Sequence, residues 1–492
     1  MKFWPKHPLI YEINAWVWLD ELSRREGRSL TLATVPVKEW DRLASLGFNA
    51  IWLMGVWERS SAGIGVVMQN HRLLDAFRRA LPDFSPEDVA GSPYCVRRYV
   101  VDERLGGPEA LAAARRVLRG RGLRLILDFV PNHVAPDHPW VFEYPEYFIS
   151  GDADDFRRDP AAFFEAGGNV FACGKDPYFP AWPDVLQLNA FHEGLRAAVV
   201  ETLTNIAGQC DGVRCDMAML LLNSVFGRTW GLRAGSMPEA DFWPHIIRAV
   251  KEQQKEFCFI AEAYWDLEWE LQQQGFDYCY DKRLYDRLEH DPAESVRLHL
   301  YADLVYQERL VRFIENHDEP RAAAAFTPEK HRTAAVTALT LPGAGLVHEG
   351  QTEGRRVHLP IFLGRRPEEP VDTELRSFYQ RLLEALHHEN VLQWTWRLCA
   401  RSGWADNDSN RNLVSWCWHK GDSFCLIAVN LSGMSSQGLV QVPLDMLPGK
   451  SWRLKDVFTS VIYERHGDEM SGRGLYVDLP PWGFHFFVSV QG

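Results

Sequence analysis

What most constrains this chain is an alternation of strand-like and helix-like segments over its first three-quarters. LIYEI (9–13) and FNAIWLM (48–54) flank a helical VKEWDRLASLG (37–47). PEALAAARRVLRGRG (108–122) reads as a helix closed by glycine, and LRLILDFV (123–130) as a nearly continuous apolar strand. LRAAVVETLTNIAG (195–208) sets Leu195, Val199, Leu203 and Ile206 on one helical stripe. CDGVRCD (210–216), FCFIAEA (257–263), RLVRFIEN (309–316) and AGLVHEG (344–350) follow, with helix-like stretches between most of them. Apolar strands separated by helices belong to a parallel sheet covered on both faces. About eight such units in roughly 390 residues predict an α/β fold, a (β/α)8 TIM barrel with insertions.

The largest insertion, 134–188, follows the third strand-like run and is rich in Asp, Pro, Gly and aromatics. From residue 393 the pattern changes to short strands separated by turn signals, such as NLVSWCW, SFCLIAVNLS and GFHFFVSV, with no helical repeat. The expected organisation is a barrel over 1–133 and 189–392, an inserted domain over 134–188, and a C-terminal antiparallel β-sandwich over 393–492. A net charge of −13, from 53 basic and 66 acidic residues, argues against a nucleic-acid partner. No apolar stretch reaches the length of a membrane span. Nine cysteines without a CxxC pair suit neither a zinc site nor a disulfide framework. MKFWPKHPLIYEINAW has no signal-peptide pattern, so a cytoplasmic location is the expectation.

One strand-like run carries charge where apolar residues are expected. DGVRCDMAML (211–220) holds Arg214 and Asp216 two positions apart, which on a strand is one face. Buried charge is costly unless paired, so the pair is either a structural ion pair or part of a site. Three other runs end in polar clusters: Asp128, Asn132 and His133 in DFVPNH, Glu262 in FIAEA, and Asn316, His317 and Asp318 in ENHDEPR. Any one could cap a strand. Four together, with carboxylates near the tips on the rim where barrels do chemistry, suit cleavage of a glycosidic bond.

These four stretches, in this order, resemble the four signature regions of the α-amylase family, glycoside hydrolase family 13. WPDVLQLN (182–189), LPGAGLVHEGQTEG (341–354) and LPPWGFHFF (479–487) are similar to further segments of that family, so the resemblance spans nearly the whole chain. It implies Asp216 as nucleophile, Glu262 as general acid/base and Asp318 as the third acid, a clamp on sugar hydroxyls. Arg214 would hold Asp216 ionised and aimed, since an adjacent cation lowers an acid's pKa. His133 and His317 would bond the sugar on the non-leaving side of the scissile bond, and Asp128 would orient its neighbours. Tyr94 is the candidate to stack under that sugar, and Arg321 to lie close to it.

The chain also departs from the family pattern. Met219 and Leu220 stand where many members carry a Lys-His pair that grips sugar beyond the scissile bond, and Met217 matches neither common choice after the nucleophile. Nine rings of the insertion (Trp140, Phe142, Tyr144, Tyr147, Phe163, Phe164, Phe171, Tyr178 and Trp182) are expected to wall a pocket. The resulting expectation is a retaining hydrolase of short α-linked gluco-oligosaccharides. A transglycosidase of the same family is the alternative, followed by an endo-acting α-amylase and a non-catalytic binding relative. No cofactor is expected, with calcium kept open because Asn132 and Asp184 fall where calcium-binding members place ligands. Oligomeric state is left open.

Overall fold

The computed structural model describes residues 4–388 and 390–490. Eight parallel strands close a barrel in chain order: β1 (Leu9–Asn14), β2 (Ala50–Met54), β3 (Arg124–Phe129), β4 (Gly212–Cys215), β5 (Cys258–Ala261), β6 (Tyr278–Tyr280), β7 (Leu310–Arg312) and β8 (Ala344–His348). The ring is sealed where Leu9 lies opposite Gly345. The (β/α)8 architecture read from the alternation is therefore the fold. Seven of its strands correspond to the apolar runs. The eighth, β6, is the run YCY between Asp277 and Asp281 and lacks the longer apolar context that marks β7, which is equally short.

Helices cover the outer face because their apolar stripes need a partner. In helix Glu193–Gln209, Leu195, Val199, Leu203 and Ile206 are all buried, at the spacing that places them on one side. Barrel strands are buried along their whole length, as two covered faces require.

Two excursions rise above the C-terminal ends of the strands. After β2, Trp57–Arg59 pairs antiparallel with Val96–Val101, with helices Ser61–Val67 and His71–Ala80 between them. Val67, Phe77, Ala80, Leu81 and Val89 gather there around Leu363, which comes from the segment after β8. The sequence reading places no element here, because this small core is completed by a residue far along the chain. After β3, His133–Val134, Trp182–Gln187, Asn169–Gly174 and Phe163–Ala166 form a four-stranded antiparallel sheet.

The C-terminal strands form a six-stranded and a three-stranded antiparallel sheet. Strand Leu413–Lys420 shows how they attach. Val414, Trp416 and Trp418 join the barrel's core, while Leu413 and Cys417 face the core between the two sheets. The indoles of Trp416 and Trp418 both donate to the carbonyl of Thr340, the last residue of helix Pro328–Thr340, at 3.1 and 2.8 Å. The nine cysteines are buried, and none is joined in a disulfide. Among the described residues no helix is long and apolar enough to cross a membrane.

Candidate active site

The chain leaves β4 at Cys215 and turns at once. Met217 adopts φ 43°, a left-handed conformation costly for a residue with a Cβ. That turn aims the Met217 N–H at Glu262 Oε2, 2.6 Å away, and so ties the end of β4 to the end of β5. Arg214, 1% exposed, lies beneath. Its Nη1 donates to Asp216 Oδ1 at 2.7 Å, and its Nη2 lies 2.9 Å from Glu262 Oε2 and 3.8 Å from Asp318 Oδ2. One guanidinium thus reaches all three acids. The faces of Trp52, Tyr94 and Tyr280 stand 5.1–5.8 Å from it and restrict its swing.

The acids do not hold their protons equally. Burial pushes Glu262 up to about 7; Arg214 opposes this, and the negative charges of Asp216 and Asp318 reinforce it. The Tyr264 hydroxyl, 2.8 Å away, bonds Glu262 Oε1. Asp216 is likewise raised by burial, with Arg214 pulling the other way. Burial also acts on Asp318, yet the charge of His317 beside it prevails and holds that carboxyl down at about 2. Asp318 keeps 38% of its side-chain surface open to the cleft.

The remaining predicted residues divide into those that reach the cleft and those set behind it. A cavity of about 290 Å³ is lined by Tyr94, His133, Asp216, Glu262 and Asp318 among others. His133 packs edge-on against Trp182 at 5.3 Å, and burial holds its imidazole low, at about 4, so it is neutral near pH 7. The Tyr94 hydroxyl lies 2.6 Å from His317 Nε2, which is also 2.9 Å from Asp318 Oδ2. Asp128 accepts from the Trp52 indole at 3.2 Å and the Gly55 N–H at 3.0 Å, joining β2 to β3 beneath the cavity. Arg321 is buried and turned away. It donates to Glu315 Oε1 at 2.7 Å and the Glu349 carbonyl at 2.9 Å, and lies 2.9 Å from His348 Nδ1.

Two expectations about the walls are corrected. Met219 and Leu220 do not face the leaving-group side; they are buried in a 3-10 turn, and Met217 reaches the cavity instead. Of the nine insertion rings, only Trp182 lines the cavity. The others pack mostly within the insertion, as Tyr144 does on Tyr147 at 5.0 Å and Phe148 on Phe171 at 5.0 Å. Ile361 and Phe362, from the segment after β8, also line the cavity, and no sequence signal announces them. Tyr264 had a signal, two residues after Glu262, and so did Glu12, a charge inside the apolar LIYEI. The Asn132 and Gln187 side chains are closed on each other as an amide pair, at 2.9 and 3.2 Å. Asn132 Oδ1 accepts one of these bonds, from Gln187 Nε2, and among the described residues no cluster of three or more His, Cys, Asp or Glu is placed to hold a metal.

A (β/α)8 barrel whose strand ends bring three carboxylates around one arginine at the floor of a cleft has the machinery of a glycoside hydrolase. The chain belongs to the α-amylase family: the alpha amylase catalytic-domain family matches residues 37–416. It is 25% identical over 408 residues to the alpha-amylase MalA of Haloarcula japonica, covering 79% of this chain and 50% of that one. The chain thus spans about half the length of that relative. It is 20% identical over 400 residues to alpha-amylase 3 of Dictyoglomus thermophilum, covering 77% and 70%. The fold is similar to that of a noncanonic maltogenic alpha-amylase, AmyB of Thermotoga neapolitana, with a TM-score of 0.72, 20% identity and 99% of both chains covered.

Proposed function

We propose that the chain is a retaining α-glucoside hydrolase acting on short α-linked gluco-oligosaccharides. The observation that carries this reading is Arg214 gripping Asp216 and Glu262 through neighbouring nitrogens, with Glu262 raised to about 7. Retention needs two carboxyl groups only about 5–5.5 Å apart, and one guanidinium bonded to both is a spacer of that short class. In the first step the Asp216 carboxylate attacks the anomeric carbon. The C–O bond to the leaving sugar breaks, and that oxygen takes the proton of Glu262. In the second step water gives a proton to the Glu262 carboxylate and attacks the same carbon, releasing Asp216. Asp318, held ionised by His317, accepts hydrogen bonds from sugar hydroxyls, and His133 offers its neutral ring to the same sugar.

The preference for short substrates rests on the walls. Trp182, Val185, Ile361 and Phe362 line the same cavity of about 290 Å³ as the acids. A narrow pocket seats chain ends and disadvantages the middle of a polymer. The test is product analysis on maltose- to maltopentaose-sized α-glucosides and on soluble starch, with NMR of the first product. The α-anomer should appear first, and kcat/KM per cleavable bond should be higher on the oligosaccharides. A β-anomer first would overturn the mechanism. Faster starch cleavage would overturn the size preference, and longer products at high acceptor concentration would make the chain a transglycosidase.

A further inference from the structure

We propose that Glu12 is a positioning residue of this active site, fixing the charge and orientation of Asp318 through the imidazole of His317. This rests on the hydrolase reading for its catalytic meaning, though not for its geometry. Glu12 sits in the middle of β1, is 0% exposed, and projects a carboxylate into the barrel. Its Oε1 lies 2.5 Å from His317 Nδ1, bridging β1 to the segment after β7. The other ring nitrogen, Nε2, meets Asp318 Oδ2 at 2.9 Å and the Tyr94 hydroxyl at 2.6 Å.

A neutral imidazole donates from only one nitrogen. A ring held between two carboxylates is best satisfied as the imidazolium, donating from both. Burial pushes His317 down, but Asp318 and Glu12 more than reverse this and hold it well above the ordinary histidine range. The edge of Trp52 packs on the ring at 5.5 Å and fixes its plane. Other charged or titratable groups near it are Asp128, Asp216 and Arg214 on the barrel side, His358, whose Nε2 lies 3.1 Å from the His317 carbonyl, and Arg321, His348, Glu349, Arg355, Arg366 and Glu369, which border a small cavity with it. Among the described residues, Glu12 Oε2 has no hydrogen-bond partner. Glu12 meets His317 through Oε1 alone, from within β1.

The test combines histidine ¹⁵N NMR with pH profiles, using the full chain. In the wild-type protein the His317 signal, assigned by its loss in His317→Asn, should remain that of an imidazolium up to about pH 8. In Glu12→Gln it should become neutral at least about one pH unit lower. The same variant should lose about tenfold in kcat at pH 8 and recover most of it near pH 5.5, where the ring regains its proton. A neutral His317 at pH 7 in the wild-type protein would overturn the proposal, even if Glu12→Gln fails to fold. So would a Glu12→Gln protein with an unshifted His317 titration whose only defect is a lower Tm. Because the NMR needs no substrate, a chain without hydrolase activity would sink the functional reading and leave the Glu12–His317 coupling separately measured.

Discussion

Two of the barrel's buried arginine–carboxylate clusters are built from the same ingredients and put to different ends. Arg214 at the end of β4 faces Asp216, Glu262 and Asp318. Arg312 at the end of β7 faces one acid, Asp281, which lies just past β6. Arg312 is fully buried and also donates from Nε to the Pro342 carbonyl at 3.0 Å and from Nη2 to Gln307 at 3.3 Å. Asp281 in turn lies 3.0 Å from His299 and accepts the Leu284 N–H at 3.1 Å. Burial pushes the Asp281 carboxyl up, but His299 and Arg312 more than reverse it and hold it below the ordinary carboxylate range. Around Arg214 acids outnumber the cation, a cavity opens above them, and Glu262 retains a proton to about pH 7. Matched charge makes a joint; excess acid beside a cavity makes a proton donor.

The largest effect should come from removing the attacking charge. Asp216→Asn is nearly isosteric and should lower kcat by at least ~10³-fold, as for groups that act as a catalytic unit. Because burial already disfavours the ionised form of Asp216, the variant should keep its Tm at neutral pH within a few degrees. More than a tenth of wild-type activity remaining would place the nucleophile elsewhere.

Asp281→Asn should show the opposite profile. It leaves Arg312 buried without its counter-charge, which costs about 3–5 kcal/mol of stability, read as a fall in Tm or in the urea midpoint. Activity per folded molecule should stay within about twofold of wild type, since no step uses this acid. The sign with pH follows from the depressed carboxyl. Its stabilisation is present above the ordinary Asp value of 3.8 and is lost as pH falls through the folded value. The gap between variant and wild type should therefore be full at neutral pH and shrink in strong acid. An unchanged Tm at pH 7 would remove the contrast between the clusters.

The sequence made the floor of the site legible and left the walls obscure, for a physical reason. Arg214, Asp216, Glu262 and Asp318 stand at the ends of apolar strands, where charge is conspicuous and strand order places the tips on one rim. The same conspicuousness belonged to Glu12 and Arg312, but a charge in a strand does not say whether it faces a cavity or a matched partner. Ile361 and Phe362 reach the cleft from a long segment with no periodicity, on a small core completed across the chain by Leu363 and Phe77. Met219, Leu220 and Arg321 were visible by position, but their direction depends on the turn at Met217 and on Glu315, neither of which is a local pattern. β6 escapes such a reading because its YCY lies between Asp277 and Asp281 without an aliphatic run, whereas β7, equally short, lies within RLVRFIEN.

The smallest stability effect, and the most specific test, concerns the proton on Glu262. As general acid it must be protonated in the first step, so kcat/KM should fall as pH rises above about 7. Glu262→Gln should abolish that limb, damage natural glucosides severely and largely spare glycosylation by aryl glycosides or glycosyl fluorides, whose leaving groups need little protonation. The linked stability effect has a definite sign. Glu262 is raised from an ordinary 4.5 to about 7, so between these values the folded chain binds more protons than the unfolded one. Stability attributable to this group therefore falls as pH rises through that window. A glutamine cannot titrate, so Glu262→Gln should lose less stability than wild type from pH 4.5 to pH 8. Its relative gain should be of order 1–3 kcal/mol at pH 8, the free-energy equivalent of a shift of this size. Asp281→Asn should give the opposite sign over its own acidic window. Parallel pH–Tm curves for Glu262→Gln and wild type would show that the excess of acids around Arg214 does not raise Glu262, and the distinction between the two clusters would fall.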